Sequence, residues 1–304
     1  MREERAIRIR RLWLLATAVV VAAFYSPIKA DQSLIEVRPS ESIQAAVDRA
    51  NPGDVIKLFP GTYDQAVRIA KAVYLVGADP DNRPVLTGAG QDNGIHVVGT
   101  ADAPVRNVVI RGLVVQKYRT GIRLENATNC TVEHCQMVDN GNRPTFSGQL
   151  DNGMVLVNAD YNLIRNNDST GSSHVAILLR GGSEYNTVLF NRSFQDGLVA
   201  GNAACAFEFV GSNYNRILAN TAITSGRGVV LSGGTTGCIV KDNIFLDNQR
   251  AGIHVVEGSN PAVGNLIADN IVLTKNSARM ASLPAGWSIL AHAGRSKCKS
   301  WSRR

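Results

Sequence analysis

The sequence predicts an all-β solenoid of stacked coils, and three observations predict it. A short phrase of small residue, apolar, any, apolar recurs at Gly94-Ile95-His96-Val97, Gly121-Ile122-Arg123-Leu124, Gly153-Met154-Val155-Leu156, Ala176-Ile177-Leu178-Leu179, Ala206-Phe207-Glu208-Phe209, Gly228-Val229-Val230-Leu231 and Gly252-Ile253-His254-Val255. Its starts lie 27, 32, 23, 30, 22 and 24 residues apart. That period marks units too short to bury their apolar faces alone, which stacking completes. In step with it runs an asparagine column, Asn167, Asn191, Asn220, Asn243 and Asn270, with Gly112 and Cys135 in the equivalent earlier places. Asn tolerates the left-handed backbone of a tight corner, and its amide can bond to the coils on either side. Three residues further on stand Val115, Val138, Phe194, Ile223, Leu246 and Leu273, with Thr170 the exception. Each coil therefore offers about three short strands, stacked at the ~4.8 Å spacing of a parallel sheet.

Taken in order, the chain opens with Arg2, Arg5, Arg8, Arg10 and Arg11, the apolar run Leu12–Tyr25 and a small Ala30. Residues 1–30 are thus expected to be a secretory signal peptide or, uncleaved, an N-terminal anchor, placing the protein outside the cytoplasm, secreted or periplasmic. From Ser40 a capped helix is expected, with Ser40 or Ser42 at its start, an apolar stripe of Ile43, Ala46 and Val47, and a stop at Asn51-Pro52-Gly53. It would cover the open N-terminal end of the solenoid, whose first strands are Val55–Leu58, Val73–Val76 and Pro84–Leu86. Tyr161, Tyr185 and Tyr214 each stand six residues before a ladder Asn, so they should stack. Such a row is either a platform for sugar rings or an ordinary aromatic ladder on a sheet. After residue 274 the repeat fades into a basic tail, residues 275–304, in which Trp287, Ile289 and Leu290 could cover the C-terminal end.

These columns resemble the right-handed parallel β-helix of the pectin lyase-like superfamily. The resemblance covers roughly residues 33–274, and it implies a solenoid of about eight to ten coils with an N-terminal capping helix. It matches no one enzyme family: the sequence has no GHG with RIK as in polygalacturonases, no Arg-x-Pro-x-x-Arg as in pectate lyases and no DPHD as in alginate epimerases.

The net charge of +7 belongs to the two ends. Residues 1–30 hold six basic and two acidic side chains, residues 275–304 seven basic and none acidic, and the body between them is negative by four. A nucleic-acid groove along the coils is therefore not expected, and a monomer is. The five cysteines, Cys130, Cys135, Cys205, Cys238 and Cys298, form no CxxC pair. Those of the body read as small buried residues.

Chemistry is expected on the face where the residue between the two apolar positions of the phrase points outward. Two places before the small residue lies a column of Asp92, Arg119, Asp151 and His174, followed by Ala204, Gly226 and Arg250. Arg123, Glu125, Arg180 and Glu208 lie nearby, with Tyr118 as an aromatic contact. The longer coils, with extra residues at Asp139–Asp151 and Asp196–Ala204, would wall a cleft on this side.

In the superfamily such a groove holds polysaccharide, and the resemblance implies a lyase, hydrolase or epimerase of acidic sugars, with calcium as a cofactor by the same analogy. Arginines, Arg119, Arg123 or Arg180, would neutralise a uronate carboxylate while His174, held by Asp151, takes the adjacent proton. The hydrolytic alternative uses Asp92 and Asp151, about 10 Å apart by coil spacing, which suits inversion better than retention. A structural ion ladder would use the same alternating charges. The resemblance also leaves open a non-catalytic carbohydrate binder or a periplasmic accessory protein of the copper-site maturation type. For copper the histidines, His96, His134, His174, His254 and His292, are scattered, and no metal site is expected from them.

Overall fold

The computed structural model describes residues 32–88, 92–141, 152–198, 204–256 and 259–273. All but Gln32 fall within one unit, Ser33–Arg304, and only that unit is described. The segments 1–30 and 275–304 and the candidate Asp151 lie outside the described residues.

The phrase, its period and its columns produce a parallel β-helix. Three stacks of strands run along it: ten from Leu34–Val37 to Leu266–Ala268, nine from Thr62–Tyr63 to Ile271–Leu273, and eight from Val67–Ile69 to Ala251–Val255. One coil visits them in turn, as in Leu163–Arg165, Asp168–Thr170 and Val175–Arg180. The last stack has the longest strands, and the recurring phrase lies in it. Its repeats are in register, Ile95, Ile122, Met154, Ile177, Phe207, Val229 and Ile253 forming one row. The second apolar position supplies the parallel row of Val97, Leu124, Leu156, Leu179, Phe209 and Leu231, fully buried in the core.

The corners are fixed by side-chain amides. The expected ladder is present: the Oδ1 of Asn167 accepts from the backbone of Cys135, and the same relation repeats from Asn167 to Asn191, Asn220, Asn243 and Asn270. Each Asn also donates to a carbonyl of the coil before it, as Asn191 does to Ile164 at 2.8 Å. Five residues earlier runs a second ladder, Cys130, Asn162, Asn186 and Asn215, and five residues later a third that holds Asn140, Ser172, Asp196, Ser225 and Asn248. The sequence shows all three at a spacing of five, but Cys, Ser and Asp interrupt the two outer ones.

Residues Ile43–Arg49 form the capping helix, and Ser42 accepts from Ala45 as its N-cap. Ile43, Ala46 and Val47 are buried against the first coils, as the apolar stripe requires. One strand, Leu34–Val37, precedes the helix and pairs with Val55–Leu58, an element absent from the sequence reading. Cys130, Cys135, Cys205 and Cys238 are free and buried, and burial raises every one of their thiol pKa values, to about 11 for Cys130, Cys135 and Cys238.

Candidate functional site

The outer face of the long-strand sheet carries the candidate site. In a strand that buries both apolar positions of the phrase, the residue between them must point out. Coil by coil this column reads Arg68, His96, Arg123, Val155, Leu178, Glu208, Val230 and His254. The polar groups therefore gather at its two ends, with an apolar stretch between them.

At the N-terminal end, Glu125 organises the cluster. Its Oε2 accepts from Arg123 Nε at 3.0 Å and lies 3.0 Å from His96 Nε2. The hydrogen bond from Arg123 holds the Glu125 carboxyl below its ordinary pKa, against the opposing effect of burial. Burial pushes His96 down, more than its bond to Glu125 raises it. Four residues before Arg123, about 13 Å along the strand, Arg119 Nη1 lies 3.6 Å from the exposed Asp92 carboxylate. Asp92 thus meets Arg119 and Arg123 meets Glu125, as two separate pairs.

The middle is apolar. Val155, Val175, Leu178, Cys205 and Val230 form a second cluster outside the barrel, and Val157, Val210 and Val256 pack against it. All five cluster residues are buried, at 4 % exposure or less. Along its edge His174 is buried at 6 % exposure, its Nδ1 3.2 Å from Asn152 Oδ1. That bond orients the ring. The expected partner Asp151 lies outside the described residues. Arg180 ends its strand on the outward column shared with Val157 and Val210.

At the C-terminal end stand Glu208, Arg227 and His254. Burial raises Glu208 to about 7, against the lowering effect of Arg227. His254 and Arg227 were not candidates from the sequence, although the phrase itself contains His254 at the position that yields Arg123 and Glu208. Alignment of equivalent positions, rather than density of charge, was the signal that finds it.

One expectation is corrected. Tyr118 is not a surface contact: it is 1 % exposed, and its hydroxyl donates to the Gln65 carbonyl at 2.5 Å. Its ring fills the space that the hydrogen-only side chains of Gly88 and Gly94 leave inside the coil. The tyrosine row stacks as expected. Tyr161, Tyr185 and Tyr214 stack at 5.0 and 5.1 Å with interplanar angles of 6° and 11°. Their faces meet one another, and the Tyr214 ring comes so near Gly237 that a Cβ there would lie 2.5 Å from it. The three side chains remain about half exposed. Tyr185→Leu, which loses two ring pairs, is expected to cost about 1–2 kcal/mol in chemical denaturation and to leave glycan binding unchanged.

Among the described residues no group of three His, Cys, Asp or Glu side chains is placed to hold a metal ion. The carboxylates of Asp92 and Glu125 are engaged by arginine, so these residues do not fit a calcium site.

The chain matches the family model described as right handed beta helix region over residues 87–272, more than half its length, and belongs to that family. Solved structures agree on the fold. The structure of pectate lyase Pel9A superposes with a TM-score of 0.61 at 17 % identity, covering 86 % of this chain and 79 % of that one. The Dettilon tailspike protein gives 0.58 at 16 % over 78 % and 50 %, and the catalytic domain of a GH87 alpha-1,3-glucanase 0.51 at 14 % over 82 % and 60 %. No curated protein matches the sequence.

Proposed function

We propose that this is an exported protein that binds and cleaves an acidic polysaccharide along the outer face of the long-strand sheet. One observation carries the reading: the body is net negative, yet this face and its lead-in column in the sequence gather Arg68, Arg119, Arg123, Arg180, Arg227 and Arg250 against Asp92, Glu125, Asp151 and Glu208. A positive strip on a negative body concentrates an anionic polymer there. The similarity to a pectate lyase supports the substrate class by fold analogy.

The chemistry that fits is β-elimination. Arg119, Arg123 or Arg180 would neutralise a uronate carboxylate, lowering the barrier to removal of the proton beside it, and the His174 imidazole would take that proton. The bond to the leaving glycosidic oxygen then breaks as the double bond forms, and that oxygen takes a proton from the His174 imidazolium or from water. Hydrolysis by a carboxylate pair is less well supported, since Asp92 is exposed and tied to Arg119. Residues 1–30 would direct export, and the chain would act as a monomer outside the cytoplasm.

The test is ultraviolet absorbance of unsaturated uronate released from polygalacturonate, alginate and hyaluronan, with and without calcium. Absorbance is expected from one of them, falling at least tenfold in Arg123→Ala and His174→Gln. Reducing ends without absorbance would mean hydrolysis. Saturable binding without either product would make the protein a non-catalytic glycan binder, and no binding would overturn the reading.

A further inference from the structure

The nine-strand stack changes character along its length. In its middle coils the outward positions are polar or mixed: Gln136 and Val138 flank the inward Met137, and Asp168 and Thr170 flank the inward Ser169. In its last coils they are apolar. Ile244 and Leu246 flank the buried Phe245, and Ile271 and Leu273 flank Val272, which packs against the core. Register sets Phe194, Ile223, Leu246 and Leu273 in one outward row, with Ile244 and Ile271 side by side in the next.

A parallel strand that is apolar on both faces belongs where both faces are covered. Here the outer face is open: Phe194, Ile271 and Leu273 are 40 %, 41 % and 42 % exposed. A contiguous apolar patch of this kind marks an interaction surface. We propose that residues 280–290 of the chain's own C-terminal segment dock on this patch, on the side of the last coils rather than over their open end.

Three observations select that occupant. The chain leaves the stack at Leu273, itself the last member of the row, so the segment is delivered to the patch by its own connection at high effective concentration. The segment also has the matching side chains and the reach. It holds Met280, Leu283, Trp287, Ile289 and Leu290. The row from Leu273 back to Phe194 is three coil steps, about 14 Å, and a stretch of this length spans about 16 Å even as a helix.

The third observation is charge. Residues 275–304 hold seven basic side chains and no acidic one, and Lys275, Arg279 and Arg295 flank the apolar stretch. At the corner leading into the patch, Asp242 and Asp269 lie 3.6 and 3.5 Å from the same Lys241, two carboxylates to one ammonium. Arg192, beside Phe194, is paired with Asp168 at 2.9 Å. The corner therefore offers an excess of acid to a segment that carries only base.

The experiment is photo-crosslinking of the full chain with benzoylphenylalanine at position 194, at position 246, or at position 116 of the same row as the control. The position 246 variant covers the case in which the substitution at Phe194 prevents folding. Expected are cross-links within one chain that join position 194 or 246 to residues 280–290, with at least tenfold less from position 116. Trp287→Asp combined with Leu290→Asp should lower that yield at least fivefold. Cross-links between two chains would give the patch to a second copy and overturn the segment as its occupant. No cross-link to residues 280–290, or an equal yield from position 116, would overturn the docking itself.

Discussion

Asn191→Ala is expected to destabilise the protein by about 4 kcal/mol, because it breaks the middle of the ladder with no solvent to replace it. Asn191 is 2 % exposed. Its Oδ1 accepts from the backbone and side-chain amides of Asn167, and its Nδ2 donates to the Ile164 carbonyl and to Asn220 Oδ1. Alanine strands at least the Asn167 N–H and the Ile164 carbonyl, each a buried group whose desolvation then goes uncompensated. Denaturant melting followed by circular dichroism measures this. In a stacked solenoid the loss should also appear as an early phase, since coils are coupled mainly to neighbours. A change below about 1 kcal/mol would mean that water or neighbouring side chains fill the gap.

Asp196→Asn should act in the opposite direction, and only above acidic pH. Asp196 occupies an asparagine slot in the third ladder. Its Oδ1 accepts from Ser172 N–H and the Ser169 hydroxyl, and its Oδ2 from the Ser193 hydroxyl at 2.6 Å. Full burial raises its pKa to about 6, although those hydrogen bonds oppose the shift. The sign follows directly. Below about 3.8 the carboxyl is protonated in both folded and unfolded chains and costs nothing. As pH rises from there to about 6, the unfolded chain ionises first, so stability falls, and above that the cost is constant at about 3 kcal/mol. Asparagine keeps the Oδ1 acceptor and has no charge to bury. The variant should therefore match the parent near pH 4 and exceed it by a few kcal/mol at pH 8, read from melting curves at both. An equal difference at both values would show that packing, not ionisation, is responsible.

Glu133 has the reverse dependence. Burial pushes its carboxyl up, but Arg165 and Arg111 on the adjacent coils outweigh it and hold the pKa below the ordinary value. Its contribution is present above the unfolded pKa and lost as pH falls through the folded one. Acid scans of Glu133→Gln should lose that part of the slope. The Glu133 contribution is complete once pH reaches the unfolded value of 4.5, and the Asp196 cost sets in from 3.8 upward, so the two together place the stability optimum near pH 4.

Much of the fold was legible in the chain because a coil repeats the same physical problem. Every turn needs a side chain that satisfies its corner and two apolar residues that fill its interior, so Asn167 to Asn270 and the phrase from Gly94 to Val255 recur in one register. The outward column was legible as positions, but not as chemistry. Arg123 and Glu125 lie two residues apart and could be paired from the strand alone, whereas the His96 partner of Glu125 is 29 residues away. Which residues meet across coils depends on the uneven lengths of the coils, and whether a tyrosine points in or out depends on the glycines opposite it. Gly88 and Gly94 draw Tyr118 inside, while Gly237 leaves room for the outward ring of Tyr214. The sequence by itself determined the stack, its corners and the face on which polar groups could stand. Only the tertiary structure decided that those groups divide into two clusters around an apolar middle, because burial and cross-coil pairing are properties of neighbours in space rather than along the chain.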